Sequence, residues 1–266
     1  MTITYIHHSG FLAELPQASL LFDYYIGDLP QADGEKPLFV FASHRHGDHF
    51  SEAIFHLPDR FKDVRYVISN DIWERRVPAE KRQKALFLAP GEERDIELSG
   101  KPEAAGISGQ PETEPAAVSP VLRVHTFRST DEGVAFLVDC GGTVLYHAGD
   151  LNNWTWKGEP DSWNHSMAAN YRRELGKIRE VLDGWGKEID IAFVPLDGRQ
   201  EENFYLGLDD FMRQVGAKRV FPMHCWGDYS VIGKMRALDC SAGYRDRIQE
   251  ITGDGEVFTE EDERFV

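Results

Sequence analysis

The fold of this chain is decided by the stretch His44-Arg45-His46-Gly47-Asp48-His49. It closely follows Pro37-Leu38-Phe39-Val40-Phe41-Ala42, an apolar run of the length expected for a strand that is buried on both faces. The histidine stretch therefore lies in a loop that leaves a buried strand, a common place for active-site chemistry in α/β proteins. Neutral imidazole nitrogens and carboxylate oxygens are ligands that zinc, iron and manganese accept. The stretch therefore predicts a metal site.

Further candidate ligands stand at the ends of other predicted strands. Leu20–Phe22 runs into Asp23, residues 143–149 run into Asp150, and Arg219–Met223 runs into His224. With these residues, the pattern His-x-His-x-Asp-His resembles the metal-binding motif of the metallo-β-lactamase superfamily, in order and rough spacing from Asp23 to His224. The resemblance implies an α/β fold, namely a four-layer αββα sandwich of two mixed β-sheets flanked by helices. Residues 1–266 would form a single domain of this kind.

The resemblance also implies a ligand set and a chemistry. One divalent ion would be held by His44 and His46, and Asp150 would bridge it to a second ion. The ligands of the second ion would be Asp48, His49 and His224. Zinc is the first expectation for the two ions, with manganese or iron as alternatives. A metal-bound hydroxide would attack a carbonyl carbon or a phosphorus, and Asp48 is the candidate catalytic residue that would orient the water or pass a proton.

The chain departs from the family pattern at one ligand of the first ion. The superfamily usually places a histidine in the loop before a glycine-led strand, and here that loop is Phe127–Gly133, which holds none. Asp131 lies nearest the expected position and is the predicted replacement. His125, within the predicted strand Val121–Phe127, and a water are the alternatives, because the side chains of a strand alternate between faces. A carboxylate ligand here would favour a harder ion.

The net charge and the ligand motif limit the classes of function that this chain could have. The formal net charge is −16, which disfavours a polyanionic partner because phosphate repulsion would have to be overcome. The predicted function is a metallo-hydrolase, dinuclear by the resemblance, that acts on a small ester, lactone or phosphodiester. Residues 6–12 and 146–150 are similar to the branch that includes a lactonase acting on phosphorylated ascorbate. The alternatives are a nucleic-acid phosphodiesterase of the same superfamily and a metal-binding protein without turnover.

Length and composition indicate a globular enzyme. The chain has 266 residues, of which 41% are hydrophobic, and it contains no apolar stretch approaching the roughly 20 residues needed to cross a bilayer. No secretory signal is visible at the N-terminus, so a cytoplasmic location without membrane contact is expected. The three cysteines are too widely spaced for a disulfide framework. The sequence does not indicate an oligomeric state.

Local patterns predict the remaining elements. Residues 99–120 are rich in Gly and Pro and predict a mobile excursion between strands. Predicted helices cover residues 50–57, 167–183 and 208–215. The predicted strands that follow the excursion cover residues 121–127, 133–139, 143–147 and 189–195, with a tight turn at Gly141-Gly142.

Other side chains follow the predicted ligands closely. Trp154, Trp156, Trp163, Trp226 and Tyr229 either pack the core or wall a pocket above the metals. A further strand-end loop carries Asp197 and Arg199, which either orient a ligand or a metal-bound histidine, or form a structural ion pair. A lone histidine, His8, follows a strand-like run and would at most hydrogen-bond near the site.

Overall fold

A computed structural model describes residues 1–98 and 121–261, so the predicted excursion at 99–120 lies outside the described residues. The strands are β1 (Thr2–His7), β2 (Gly10–Glu14), β3 (Ser19–Phe22), β4 (Leu38–Ala42), β5 (Val64–Ser69), β6 (Ala85–Leu88), β7 (Glu93–Glu97), β8 (Val121–Arg128), β9 (Val134–Cys140), β10 (Thr143–His147), β11 (Ile191–Pro195), β12 (Arg219–Met223) and β13 (Val257–Thr259). The helices are α1 (Asp161–Trp185), α2 (Leu206–Gln214) and α3 (Ser230–Ala237). Short 3₁₀ helices lie at Glu52–His56, Glu74–Arg76, Arg82–Lys84, Gly198–Asn203, Asp239–Ser241 and Arg245–Arg247.

The strands form two mixed sheets. The first has the order β13-β1-β2-β3-β4-β5-β6 and the second the order β12-β11-β10-β9-β8-β7. From β3 to β6 the neighbours of the first sheet are parallel, and its other pairs are antiparallel. In the second sheet β10, β11 and β12 are parallel neighbours, and the rest are antiparallel. The predicted pair of mixed sheets is confirmed.

The apolar run that forms β4 is buried on both of its faces. Phe39 and Phe41 belong to the large core between the sheets, and the Phe41 ring lies 5.2 Å from that of Phe136 on the second sheet. Leu38 and Val40 point the other way, into a smaller core with residues of the 3₁₀ helix Glu52–His56. A strand buried on both faces has no position for a polar side chain. The predicted buried strand is therefore confirmed.

Helices cover the outer faces. In α1, the buried side chains Tyr171, Leu175 and Ile178 recur at helical spacing and join the large core. On β10, Tyr146 stacks on Phe211 of α2, so this helix also packs on the second sheet. With the 3₁₀ segment over the first sheet, the order of layers is helix, sheet, sheet, helix, as predicted. No described helix is both long and apolar enough to span a membrane.

Several predicted boundaries differ from the structure. The predicted helix at 50–57 is only the 3₁₀ helix Glu52–His56. It begins after Ser51, whose hydroxyl accepts a hydrogen bond from Ala53 N. The residues that remain before Pro58 are too few for a full α-helix. The predicted helix at 167–183 is the longer α1, which begins directly after Pro160. The helix predicted at 208–215 begins two residues earlier, at Leu206.

Candidate metal centre

The candidate ligands converge because several strands end at the same edge of the two sheets. The loop after β4 carries the histidine stretch, while Asp150 follows β10 and His224 follows β12. The candidate ligands form two groups, and within each group the ligand atoms lie within 4.8 Å of one another. The first group is His44, His46 and Asp150, and the second is His8, Asp48, His49 and His224. All predicted ligands except Asp131 therefore belong to one of two compact groups, and the second group also contains His8.

Asp150 lies between the two groups. One of its oxygens, Oδ2, is 3.4 Å from His44 Nε2, and the other, Oδ1, is 3.2 Å from His49 Nε2 and 3.5 Å from His224 Nε2. Burial by itself raises the pKa of Asp150, but the contact with His49 and the nearby His224 outweigh burial and hold that pKa below the usual carboxyl range. The charged carboxylate thus faces both groups, as a bridging ligand would.

The ring of His49 is fixed from behind by Asp23. His49 Nδ1 donates to Asp23 Oδ2 at 2.7 Å, so Nε2 is left to face Asp150. Asp23 also accepts from the backbone N–H of Ser43 at 2.7 Å and from its hydroxyl at 2.6 Å. Such a carboxylate–histidine pair sets both the tautomer and the direction of a ligating ring.

The ring of His224 is fixed in the same way by Asp197. His224 Nδ1 donates to Asp197 Oδ2 at 3.0 Å, and Trp226 Nε1 donates to the same oxygen at 3.2 Å. Burial by itself raises the pKa of Asp197, but the hydrogen bonds from His224 and Arg199 outweigh it and lower the pKa to about 2. Asp197 and Arg199 therefore orient a candidate ligand in addition to forming an ion pair.

The ring of His44 is fixed by a neighbour in the same loop. His44 Nδ1 lies 3.0 Å from the hydroxyl of Ser43, and His44 Nε2 lies 3.1 Å from His46 Nδ1. Burial, followed by repulsion from His49, lowers the pKa of His44 to about 4. His44 is therefore a neutral imidazole at physiological pH, which is the form that binds metal.

Unpartnered atoms show that the residues fit divalent metal ions. His8 Nε2, His49 Nε2 and Asp150 Oδ1 are buried and make no well-formed hydrogen bond among the described residues, although His49 Nε2 lies 3.2 Å from Asp150 Oδ1 and His8 Nε2 lies 3.5 Å from Asp48 Oδ2. Buried polar groups normally have partners, because leaving one unpaired costs free energy. Such atoms, in two groups of imidazoles and carboxylates whose ligand atoms lie within 4.8 Å of one another, match the donor chemistry of zinc, manganese or iron.

The alternatives for the missing histidine have different surroundings. Asp131 Oδ2 lies 3.8 Å from His46 Nδ1, and the side chain is 48% exposed. Burial and repulsion from Asp150 raise the pKa of Asp131. His125 Nδ1 instead lies 3.2 Å from Glu93 Oε2, and the ring packs 4.8 Å from that of Phe127. Asp131 is thus beside the first group, whereas His125 has its partner on a neighbouring strand.

Two glycines allow the loop after β4 to lie close to the second sheet. A Cβ on Gly133 would meet Ser43 O at 2.1 Å, and one on Gly149 would meet Ser43 Cβ at 2.7 Å. Both residues have positive φ, +68° and +51°. Val134 N then donates to Ser43 O at 2.9 Å, which ties the loop to β9. The first group therefore depends on close packing around Ser43.

A cleft of about 400 Å³ opens above the ligands. The indole side chains that line it are Trp154, Trp156, Trp163 and Trp226. Trp154 Nε1 donates to Asp150 O at 2.9 Å, and the Arg199 guanidinium lies 4.1 Å from the Trp226 ring centre. The four tryptophans therefore wall a pocket above the candidate ligands. Trp154 is in addition buried.

Sequence reasoning undervalued His8, His147 and the supporting carboxylates. His147 is buried, donates through Nε2 to Ser9 O at 2.9 Å, and lies behind the ligands rather than among them. The resemblance identifies Asp23 at the end of a predicted strand but assigns it no partner. For His8 the only available signal was a histidine in the turn between two apolar strands, which does not reveal contacts with residues 40 or 216 positions away.

Comparisons with known proteins identify the family of this chain. The family model for the beta-lactamase superfamily domain matches residues 2–159. A metal-dependent hydrolase of Desulforamulus reducens is 39% identical over 239 residues, which cover 84% of each chain. Another metal-dependent hydrolase, of Heliobacterium modesticaldum, is 24% identical over 229 residues, covering 84% of this chain and 81% of that protein.

Two solved structures share the fold. A metallo hydrolase of Ignicoccus hospitalis has a TM-score of 0.57 at 18% identity and covers 97% of both chains. A metallo-β-lactamase fold protein of Bacillus subtilis has a TM-score of 0.51 at 14% identity, covering 97% of this chain and 98% of that one. With the ligand stretch, the paired mixed sheets and the family match over more than half of its length, this chain belongs to the metallo-β-lactamase superfamily.

Proposed function

We propose that this protein is a metal-dependent hydrolase that acts on a small ester, lactone or phosphodiester. The observation that carries the proposal is the pair of ligand groups on either side of Asp150, at the floor of an open cleft. The relatives from Desulforamulus reducens and Heliobacterium modesticaldum are named metal-dependent hydrolases, which supports the same class.

Two divalent ions would be held by the two groups, with Asp150 between them. Zinc suits the histidine-rich donor set, and manganese or iron becomes more favourable if Asp131 contributes a carboxylate. When bound, such ions lower the pKa of a coordinated water to about 7 and stabilise negative charge on a carbonyl or phosphoryl oxygen.

The protein's own residues would hold this arrangement and move a proton. Asp23 and Asp197 keep the rings of His49 and His224 aimed inward through the hydrogen bonds behind them. Asp48 lines the cleft, and its carboxylate is 29% exposed, so it can contact a water as well as a metal. We assign Asp48 the role of orienting the attacking water or passing its proton.

The cleft favours a small substrate with an apolar part. Its tryptophan walls would bury an apolar group and exclude water from the reacting bond. A nucleic acid is a poorer substrate, because the chain's net charge of −16 would repel its phosphates.

The test is a panel of small esters, lactones and phosphodiesters together with a structured RNA, assayed with defined zinc, manganese or iron. We expect turnover on a member of the small-molecule classes, at least 100-fold slower in Asp48→Asn, the scale typical of a lost acid–base group. The matched control is Asp95→Asn, which changes an exposed carboxylate paired with Arg123. Efficient RNA cleavage at physiological salt, or no turnover by the fully metal-loaded protein, would contradict the proposal.

A further inference from the structure

We propose that His8 is a protein ligand of the ion held by Asp48, His49 and His224, and that this position fills with metal before the position at His44 and His46. The inference rests on the proposed metal dependence, but on neither the substrate nor the reaction.

The ring nitrogen of His8 lies among the ligand atoms of the second group. His8 Nε2 lies 3.5 Å from Asp48 Oδ2, and the ligand atoms of His8, Asp48, His49 and His224 all lie within 4.8 Å of one another. The His8 side chain is only 3% exposed, and Nε2 has no hydrogen-bond partner in the described part of the chain. A buried nitrogen that contacts a carboxylate without a well-formed hydrogen bond, and lies within 4.8 Å of the ligand atoms of two other imidazoles, is what a metal ligand looks like without its ion.

A strained backbone orients the His8 ring. His8 has a φ of +54°, a left-handed conformation that is unfavourable for a residue with a side chain. Two hydrogen bonds hold the turn in that conformation, since His224 N donates to His8 O at 3.1 Å and His147 Nε2 donates to Ser9 O at 2.9 Å. Strain of this kind persists where the surroundings impose it, and it concentrates at functional sites.

Packing against neighbouring rings confines the His8 side chain. The His8 ring centre lies 4.3 Å from that of His224, 4.6 Å from that of Trp226 and 5.8 Å from that of His49. Trp226 is itself tied to Asp197, the carboxylate that orients His224. The same contacts therefore fix His8 and His224 relative to each other, as two ligands of one ion require.

The two ligand groups differ in the number and the burial of their donors. The second group offers four donors, of which three are buried histidines. The first offers two histidines and the shared Asp150, and the side chain of His46 is 42% exposed. Its neighbour Asp131 is also about half exposed and stands 3.8 Å from His46. A preorganised, buried set with more donors loses less conformational entropy on binding, so it should take the first equivalent of metal.

The test measures metal binding rather than turnover. The protein is stripped with a chelator and titrated with Co²⁺, whose absorption spectrum reports coordination, and with Zn²⁺ against a competing indicator. We expect His8→Gln to lower the affinity for the first equivalent of metal by about 100-fold and to change its Co²⁺ spectrum. A loss of affinity of this size is at the upper end of the effect of removing a residue that only supports a ligand. His46→Gln should weaken only the second equivalent.

The matched control is His7→Gln, because His7 is the adjacent residue and pairs with Asp254 outside both groups. It should leave both equivalents unchanged. If His8 only positions Asp48 through a hydrogen bond, His8→Gln will keep the Co²⁺ spectrum of the first equivalent whatever happens to its affinity, and the inference is wrong. It is equally wrong if His46→Gln removes the first equivalent.

A measurement on the unaltered protein covers the case in which His8→Gln does not fold. X-ray absorption of the protein with one equivalent of Zn²⁺ should count three imidazole ligands, from His8, His49 and His224. Two imidazoles would overturn the inference. A protein that hydrolyses no substrate but gives these binding results would contradict the proposed function and leave the role of His8 standing.

Discussion

At the scale of single residues, carboxylates behind the site determine where the imidazoles point. Asp23 holds Nδ1 of His49, and Asp197 holds Nδ1 of His224, at 2.7 and 3.0 Å. Both carboxylates are fully buried, so their hydrogen bonds compete little with water. The ligand set therefore depends on residues that would not touch a metal themselves.

Asp197 provides a direct test of this support. We expect Asp197→Asn to lower metal affinity about 10- to 100-fold, because an amide holds the His224 ring less firmly and in a less certain tautomer. Metal competition titrations measure the effect, and Asp95→Asn serves as the surface control. Unchanged affinity in Asp197→Asn would mean that the fold alone orients His224.

The replacement of the missing histidine is a second prediction at this scale. We expect Asp131→Ala to lose metal from the position at His44 and His46, because the carboxylate lies beside His46. His125→Ala is the matched comparison and should retain the metal, since its ring contacts Glu93. Metal analysis after dialysis distinguishes the two. If His125→Ala loses an ion and Asp131→Ala does not, the assignment of Asp131 is wrong.

These residues also mark where sequence reasoning stops. The histidine stretch and Asp150 could be predicted because a local pattern carries them. The strained turn at His8 could not, since its conformation is imposed by His224 and His147 from distant strands. Likewise, Asp131 and His125 could not be separated without knowing which face of β8 meets the site.

At the scale of elements, the site depends on the close approach of two loops and a strand. Gly133 and Gly149 both pack against Ser43, the residue between β4 and the histidine stretch. Ser43 in turn donates to Asp23 and contacts His44. Displacement of this loop would therefore disturb both ligand groups at once.

Gly133→Ala tests this packing. The added Cβ would meet Ser43 O at 2.1 Å on a backbone with a φ of +68°, so we expect a loss of roughly 2 kcal/mol or more in the free energy of unfolding, together with lower metal content. The control is Gly91→Ala, where φ is +86° but nothing lies within 4 Å of the added atom. Urea denaturation of both variants separates steric overlap from backbone strain. Equal losses would show that the approach to Ser43 is not critical.

The elements themselves were predictable to different degrees. The run at β4 could be identified because both of its faces are buried, which leaves an unbroken apolar pattern. The helix predicted at 50–57 was too long, because the interval between Ser51 and Pro58 accommodates only a 3₁₀ segment. The start of α1 was missed because its first turns are polar and exposed, so only the proline at residue 160 marked it.

At the scale of the whole molecule, two mixed sheets bring to one edge carboxylates and histidines that are scattered from His8 to His224. Asp48, Asp131 and Asp150 all line the same cleft. The chain carries a net charge of −16, so long-range repulsion adds to this local concentration of negative charge. Bound cations would relieve that repulsion, which couples metal binding to the stability of the fold.

Metal removal tests this coupling. We expect a chelator to lower the unfolding temperature of the metal-loaded protein by roughly 10 °C, since a ligand at about 1,000 times its Kd contributes about 4 kcal/mol and a domain of this size shifts about 2–4 °C per kcal/mol. Asp150→Asn, which removes the carboxylate between the two ligand groups, should shift much less on chelation, because it binds metal weakly to begin with. Calorimetry of both proteins with and without chelator measures the difference. If chelation leaves the unfolding temperature of the unaltered protein unchanged, metal bound by the ligand groups does not stabilise the fold, and the predicted coupling between metal binding and stability is wrong.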